Sequence, residues 1–193
     1  MDIWSYLAES FDLPVLDWIA ANLKCGFLDF LMPLITLLGD AGIFWIACSV
    51  VMILIPKTRK TGLALGISLL SGLLVCNVTL KPLVGRIRPY DYQWQFFQKE
   101  ITLLVEGLHD YSFPSGHTIA SFEAATALLI GNRKLGIPAM ILAVLIAFSR
   151  LYLYVHYPTD VLASIVLGIG IAFLGTFLVK KSYSIWESRK LTA

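Results

Sequence analysis

The chain has 193 residues, of which 58% are hydrophobic and 15% charged, and its mean hydropathy is +0.76. Soluble domains carry about 25% charged residues, so this composition, laid out in long apolar runs, indicates a membrane protein and excludes an ordinary water-soluble domain. A net charge of +2 is too small to argue for a nucleic-acid surface.

The first stretch, residues 1–39, is apolar but interrupted. Asp12, Asp17, Asn22, Lys24 and Asp29 recur too often for a comfortable span, and Pro14, Gly26 and Pro33 punctuate it. Leu13, Val15, Leu16, Ile19, Ala20 and Leu23 line one helical face, with Trp18 placed for an interface. The expectation is an N-terminal segment of one or two amphipathic helices lying at the outer membrane surface; the alternative is a sixth span, which would put the N-terminus inside. Asp2, Glu9 and Asp12 without a basic n-region do not make a secretory signal peptide.

Residues 40–193 read as the membrane core. A spanning helix needs about 20 mainly apolar residues, and five segments come close: 40–56, 61–80, 117–132, 136–155 and 159–179. The expected fold is therefore an all-α polytopic bundle. Lys57, Arg59 and Lys60 follow the first span, Arg133 and Lys134 the third, and Lys180, Lys181, Arg189 and Lys190 the fifth. Five crossings place these clusters on one side, the cytoplasmic one. The long stretch 81–116 carries Tyr90, Tyr92, Trp94, Phe96 and Phe97, aromatics suited to the headgroup level. They serve either as an anchor or as a rim guiding a lipid. Cys25, Cys48 and Cys76 are scattered, with neither disulfide nor zinc spacing, and are expected to pack as small apolar residues.

Three polar blocks fall at the outer ends of the spans. Lys81 is followed after six residues by Arg88-Pro89; Pro114-Ser115-Gly116-His117 opens the third span; Ser149-Arg150 precedes His156 and Asp160. Phosphate esters repel nucleophiles, so a catalyst must neutralise charge and supply a nucleophile and a proton. Lys81, Arg88 and Arg150 supply the charge, and arginine forks grip phosphate oxygens. Ser115 is a candidate N-cap, and Gly116 lets the backbone approach an anion at a helix N-terminus. His156 and Asp160, four apart, share a helical face, so the carboxylate holds one imidazole nitrogen and leaves the other to attack phosphorus. Each block alone is weak, and Asp160 reads equally as part of a capped helix start. Their convergence on one side of the membrane is much stronger.

The three-part pattern resembles the type 2 phosphatidic acid phosphatase family, which includes vanadium haloperoxidases. It matches at Lys81, Arg88, Pro89, Pro114, Ser115, Gly116, His117, Ser149, Arg150, His156 and Asp160 with no departure in spacing, and covers about residues 40–179. The resemblance implies that His156 is the nucleophile and forms a phosphohistidine. It implies that Asp160 orients it, that His117 protonates the leaving oxygen and then activates water, and that Lys81, Arg88, Ser115, Gly116 and Arg150 hold the phosphate. It also implies that no metal or other cofactor is required. The short chain and outward site are similar to bacterial undecaprenyl diphosphate phosphatases. That likeness implies recycling of the cell-wall carrier, with bacitracin resistance following. Phosphatidic acid and phosphatidylglycerophosphate remain alternative substrates, because the motif reads phosphate rather than tail. Haloperoxidases are soluble, which argues against oxidation chemistry, and a lipid transporter or scaffold would need no aligned cationic set. The expected partners are the bilayer and a lipid phosphate or diphosphate, not nucleic acid; the pattern is silent on oligomeric state.

Four further residues carry open readings. Arg86 either joins the phosphate site or faces headgroups. His109 and Asp110 form either a solvated loop pair or a proton relay. Glu123, inside the third span, is either an interhelical polar contact or a group that tunes His117 or the lipid access path.

Overall fold

Helices make up nearly all the regular structure of the computed structural model, which describes residues 2–191, and no strand occurs among the described residues. Met1, Thr192 and Ala193, which the segment boundaries above included, lie outside them, as do the side chains of Lys190 and Leu191. The chain is an all-α membrane bundle.

Helix α1 (Ile3–Leu7) runs through a π-helical stretch, Ala8–Asp12, into α2 (Leu13–Asn22). α3 (Gly26–Leu37) follows and leads into α4 (Ile43–Leu54). Between them, Asp40–Gly42 forms a short 3-10 turn in which Ala41 (φ 48°) and Gly42 (φ 66°) are both left-handed. Two such residues in succession cannot continue a helix, so α3 and α4 meet at a bend of 40°. α5 (Arg59–Leu73) continues through a π-helical stretch, Leu74–Leu80, to α6 (Lys81–Val84). α7 (Pro89–Phe97) lies in the outer segment and has proline at its first turn, where the missing N–H costs nothing. α8 (Gly116–Gly131), α9 (Arg133–Tyr152) and α10 (Pro158–Leu191) complete the bundle.

α8 is the centre. Thr118–Ile119 and Ser121–Leu128 are buried without regard to face, the signature of a helix surrounded by protein. Ala124, Ala125 and Ala127 let α9 and α10 pack closely against it. Its 16 residues rise only about 24 Å, less than the roughly 30 Å hydrocarbon core. Among the described residues, three helical stretches are long and apolar enough to cross a membrane: Arg59–Phe97, Arg133–Tyr152 and Pro158–Arg189. The bent pair α3–α4 makes a fourth if it counts as one span.

The two kinds of polar cluster sort to opposite ends. Lys60 pairs with Glu187 at 3.1 Å, bringing the start of α5 to the end of α10. The other end of α10 begins at Pro158, two residues after His156.

Three aspartates of the N-terminal stretch are clamps to the rest of the bundle, while Asn22 and Lys24 are exposed. Asp12 is fully buried and accepts hydrogen bonds from the Thr159 N–H (2.9 Å) and hydroxyl (2.7 Å). Asp17 accepts from Tyr154 (2.9 Å) and Lys99 (3.0 Å), and Asp29 from Tyr152 (2.6 Å). Of the outer aromatics, Trp94, Phe96 and Phe97 are exposed, whereas Tyr92 is buried and donates to Glu9. Tyr90 pins the outer loop through Leu108.

Candidate active site

A cavity of about 460 Å³ opens at the end of the bundle that carries the polar blocks. Lys81, Arg88, Gly116, His117, Arg150 and His156 line it together with Asp110 and Glu123. Six of the eight residues expected at the site therefore share one space. Ser115 and Asp160 lie behind its wall. Both are fully buried, and neither lines the cavity.

Each side chain is placed by a local feature. Lys81 sits where the π-helical stretch tightens into α6; such stretches often mark functional positions. Ser115 does precede α8, but its hydroxyl does not cap the helix backbone. It accepts from the Thr118 hydroxyl (3.0 Å), while its N–H donates to Ser164 Oγ (2.8 Å). His117 Nε2 lies 2.7 Å from Asp40 Oδ1. Gly39 is required beside it, since a Cβ there would stand 2.7 Å from the imidazole Cδ2. Arg150, near the end of α9, donates to the Thr36 hydroxyl.

His156 is buried in the turn between α9 and α10. Its Nε2 lies 3.3 Å from Arg88 Nη1. Burial first, then the positive charges of Arg88, Arg150 and Lys81, push its pKa well below the ordinary histidine value. The ring is thus held neutral, with a lone pair available. The four-residue spacing to Asp160 does bring Nδ1 toward that carboxylate, but at 3.5 Å, beyond a well-formed hydrogen bond. Asp160 is occupied elsewhere. It accepts from Arg86 (2.6 Å), Ser112 (2.5 Å) and the Tyr157 N–H (3.0 Å). The last is the backward half of a capping box at the start of α10.

Arg86 takes neither of its two expected roles. It is buried, pairs with Asp12 (2.7 Å) and Asp160, and lies over the Tyr157 ring at 3.7 Å. It is the clamp between the N-terminal helices and α10.

Asp110 is not simply solvated either. Its carboxylate bonds both Lys81 Nζ and Arg88 Nη2, while its side chain stays 52% exposed. Partial burial opposes ionisation, but the bonds to Lys81 and Arg88 win and hold its pKa down to about 2.

Asp40, Thr36, Asp12 and Ser112 escaped the sequence reading. Gly39-Asp40-Ala41-Gly42 did carry a signal: a turn-forming cluster interrupting two apolar runs. Thr36, Asp12 and Ser112 carried none, because their partners lie 74 or more residues away, or 48 for Ser112.

The PAP2 superfamily profile matches residues 61–184, a stretch that contains all three blocks. The chain belongs to the PAP2 superfamily. Among PAP2 and related proteins, the undecaprenyl-diphosphatase of Sulfolobus acidocaldarius is 37% identical over 131 residues, 67% of this chain and 61% of that protein. Undecaprenyl-diphosphatase BcrC of Bacillus subtilis is 36% identical over 118 residues, 61% of this chain and 58% of that one. The chain thus spans about three fifths of the length of these two relatives. The crystal structure of a transmembrane PAP2-type phosphatidylglycerolphosphate phosphatase from Bacillus subtilis superposes with a TM-score of 0.68 at 27% identity, covering 92% of both chains. The PAP2 bundle described here is accordingly that of a multi-pass membrane protein.

Proposed function

We propose that this PAP2 chain is an integral-membrane phosphatase that removes the terminal phosphate of a lipid at the outer leaflet of a bacterial plasma membrane. The proposed substrate is undecaprenyl diphosphate and the product undecaprenyl phosphate, which returns the carrier to cell-wall synthesis. The observation that carries the reading is the shared cavity: two imidazoles and three cations face one space large enough for a phosphate and the root of a lipid tail. The similarity to two undecaprenyl-diphosphatases supports the substrate. The basic clusters at the opposite end support an outward-facing site.

In this mechanism His156 Nε2 attacks phosphorus. The N–P bond forms as the bond to the bridging oxygen breaks, and His117 gives its proton to that oxygen. His117 then takes a proton from water, whose oxygen attacks phosphorus. The N–P bond breaks and orthophosphate leaves. Lys81, Arg88, Arg150 and the amide end of α8 at Gly116 balance the phosphate charge, with Ser115 held behind that end by Ser164. Asp160 limits the imidazole tilt from the Nδ1 side, and Asp40 selects the tautomer that His117 presents.

A second reading, hydrolysis of phosphatidylglycerophosphate or phosphatidic acid, is favoured by the structural overlap with the phosphatidylglycerolphosphate phosphatase. Purified protein in detergent with chelator should release phosphate from undecaprenyl diphosphate faster than from either glycerolipid. His156→Ala should abolish turnover and acid-trapped phosphoenzyme. Release from none of the three lipids would overturn the phosphatase reading, and substantial residual activity in His156→Ala would overturn the nucleophile.

A further inference from the structure

Asp110 occupies part of the cationic cradle that would hold the phosphate of the proposed reaction. Its carboxylate holds Lys81 Nζ and Arg88 Nη2, two of the cationic donors that face the cavity. The remaining donors of Arg88 are committed. Nε donates to the Asp110 carbonyl (2.9 Å), and Nη1 donates to the Val155 carbonyl (2.7 Å) and approaches His156. A phosphate oxygen that binds Arg88 must therefore displace Asp110 from it, and one that binds Lys81 meets the same carboxylate, whereas Arg150 Nε has no partner among the described residues.

The surroundings are built for exchange at the side chain alone. The backbone around Asp110 is fastened at three points: Leu108 to the Tyr90 hydroxyl (3.0 Å), the Asp110 carbonyl to Arg88, and the Ser112 N–H to the Arg86 carbonyl (2.7 Å). The carboxylate itself is half exposed. Asp110 and Arg88 also line a second cavity of about 350 Å³ beside the loop. Rotation about the Asp110 side-chain bonds can thus clear the cations without moving the chain.

We infer that Asp110 is a specificity-determining residue: an internal anion that keeps the phosphodiester headgroups of the bilayer out of the cradle and yields to a terminal phosphate. The charge argument is direct. A phosphodiester carries one negative charge, the same as the carboxylate it would replace, so exchange gains no net attraction to Lys81 and Arg88. A terminal phosphate carries about −1.5 to −2 at neutral pH and gains at least a fraction of a charge, and a diphosphate gains more. An enzyme embedded in phosphodiester lipid faces that competitor at very high local concentration. A cradle of cations without an internal anion would be occupied by the solvent itself. Specificity of this kind comes from disfavouring the wrong ligand rather than from tighter contacts to the right one.

This inference rests on the phosphatase reading for its meaning, but its test does not need turnover. Asp110→Asn keeps the size and removes the charge. Glu106→Gln removes a charge from an exposed position of the same loop and serves as the control. Equilibrium binding of orthovanadate at about pH 9, where the ion is mainly the dianion, to the purified proteins in neutral detergent should tighten about tenfold in Asp110→Asn and stay unchanged in Glu106→Gln. Added phosphatidylglycerol should displace orthovanadate from Asp110→Asn but not from wild type. Asp110→Glu, which restores the charge, should recover wild-type behaviour, which a merely structural defect would not do. Equal orthovanadate affinity in wild type and Asp110→Asn, or displacement by phosphatidylglycerol in both, would overturn the inference. If the proteins bind orthovanadate as expected but hydrolyse no lipid, the phosphatase reading fails while the exchange of anions at Asp110 stands.

Discussion

Arg86 and Arg88 are two residues apart and almost equally buried, at 4% and 2% exposure, yet they are held in opposite ways. The carboxylate partners of Arg86, Asp12 and Asp160, are both fully buried, and its guanidinium lies over Tyr157 and Trp4. Nothing around it can leave without exposing an uncompensated charge. Arg88 is fixed by backbone carbonyls on one side, and its one carboxylate partner is half exposed. A buried cation with buried anions is a lock; a buried cation with an exposed anion is a site at which anions exchange. Burial of the arginine alone does not tell the two apart, but burial of its partner does.

The sharpest way to break this contrast is to remove each guanidinium in turn. Arg86→Met leaves Asp12 and Asp160 as unpaired buried carboxylates and should cost about 3–5 kcal/mol of stability, the usual penalty for breaking a buried pair. Arg88→Met leaves Asp110 half exposed and still bonded to Lys81. It should cost much less stability while removing most turnover. Thermal unfolding in detergent beside phosphate release measures both effects. Equal destabilisation by the two substitutions would end the distinction between lock and exchange site.

The contrast also explains what was legible in the chain. The candidate site was readable because its parts are short local patterns at the ends of apolar runs: Lys81 with Arg88, Ser115 to His117, and Arg150 with His156. The lock was not. Arg86 joins residues 74 positions away in both directions, and a lone aspartate in an amphipathic stretch looks the same whether it faces water or a guanidinium. The helical fold was likewise plain from hydropathy, whereas the left-handed pair at Ala41-Gly42 that sets Asp40 beside His117 left only a turn-like cluster to notice. Trp94, Phe96 and Phe97 of α7 are exposed, as an interfacial role requires; Tyr92 instead packs into an apolar cluster with Leu13, Leu16 and Tyr157.

A smaller effect is expected deeper in the cavity. Neither carboxylate oxygen of Glu123 has a hydrogen-bond partner among the described residues. α5 makes room for the group at Gly72, where a Cβ would come within 1.7 Å of Oε1. Glu123 thus resembles neither arginine, since it is a buried polar group with no fixed partner. Glu123→Leu should raise stability by about 1–3 kcal/mol by removing an unsatisfied group. If Glu123 tunes His117, Glu123→Gln should shift the pH–rate profile; an unchanged profile would leave it as an interhelical residue only.

The smallest effect sharpens the comparison at the residue that lies between the two arginines. His156 faces Arg88 through Nε2 and the Asp160–Arg86 pair through Nδ1. Its pKa is depressed in the folded protein by burial first and by Arg88 next. The unfolded chain takes up a proton near the ordinary value of about 6.5, and the folded chain does not. The stability this histidine contributes is therefore complete above about pH 6.5 and declines as pH falls toward the folded value. Asp110, held near 2, is ionised throughout that window and adds no slope. The unfolding temperature of wild type should thus fall more steeply between pH 7 and pH 5 than that of His156→Gln. Arg88→Met should lie between them, because it removes one of the charges that keep the ring neutral. If all three proteins share one slope, His156 is not held neutral by its surroundings, and the lone pair that the proposed attack requires would need another source.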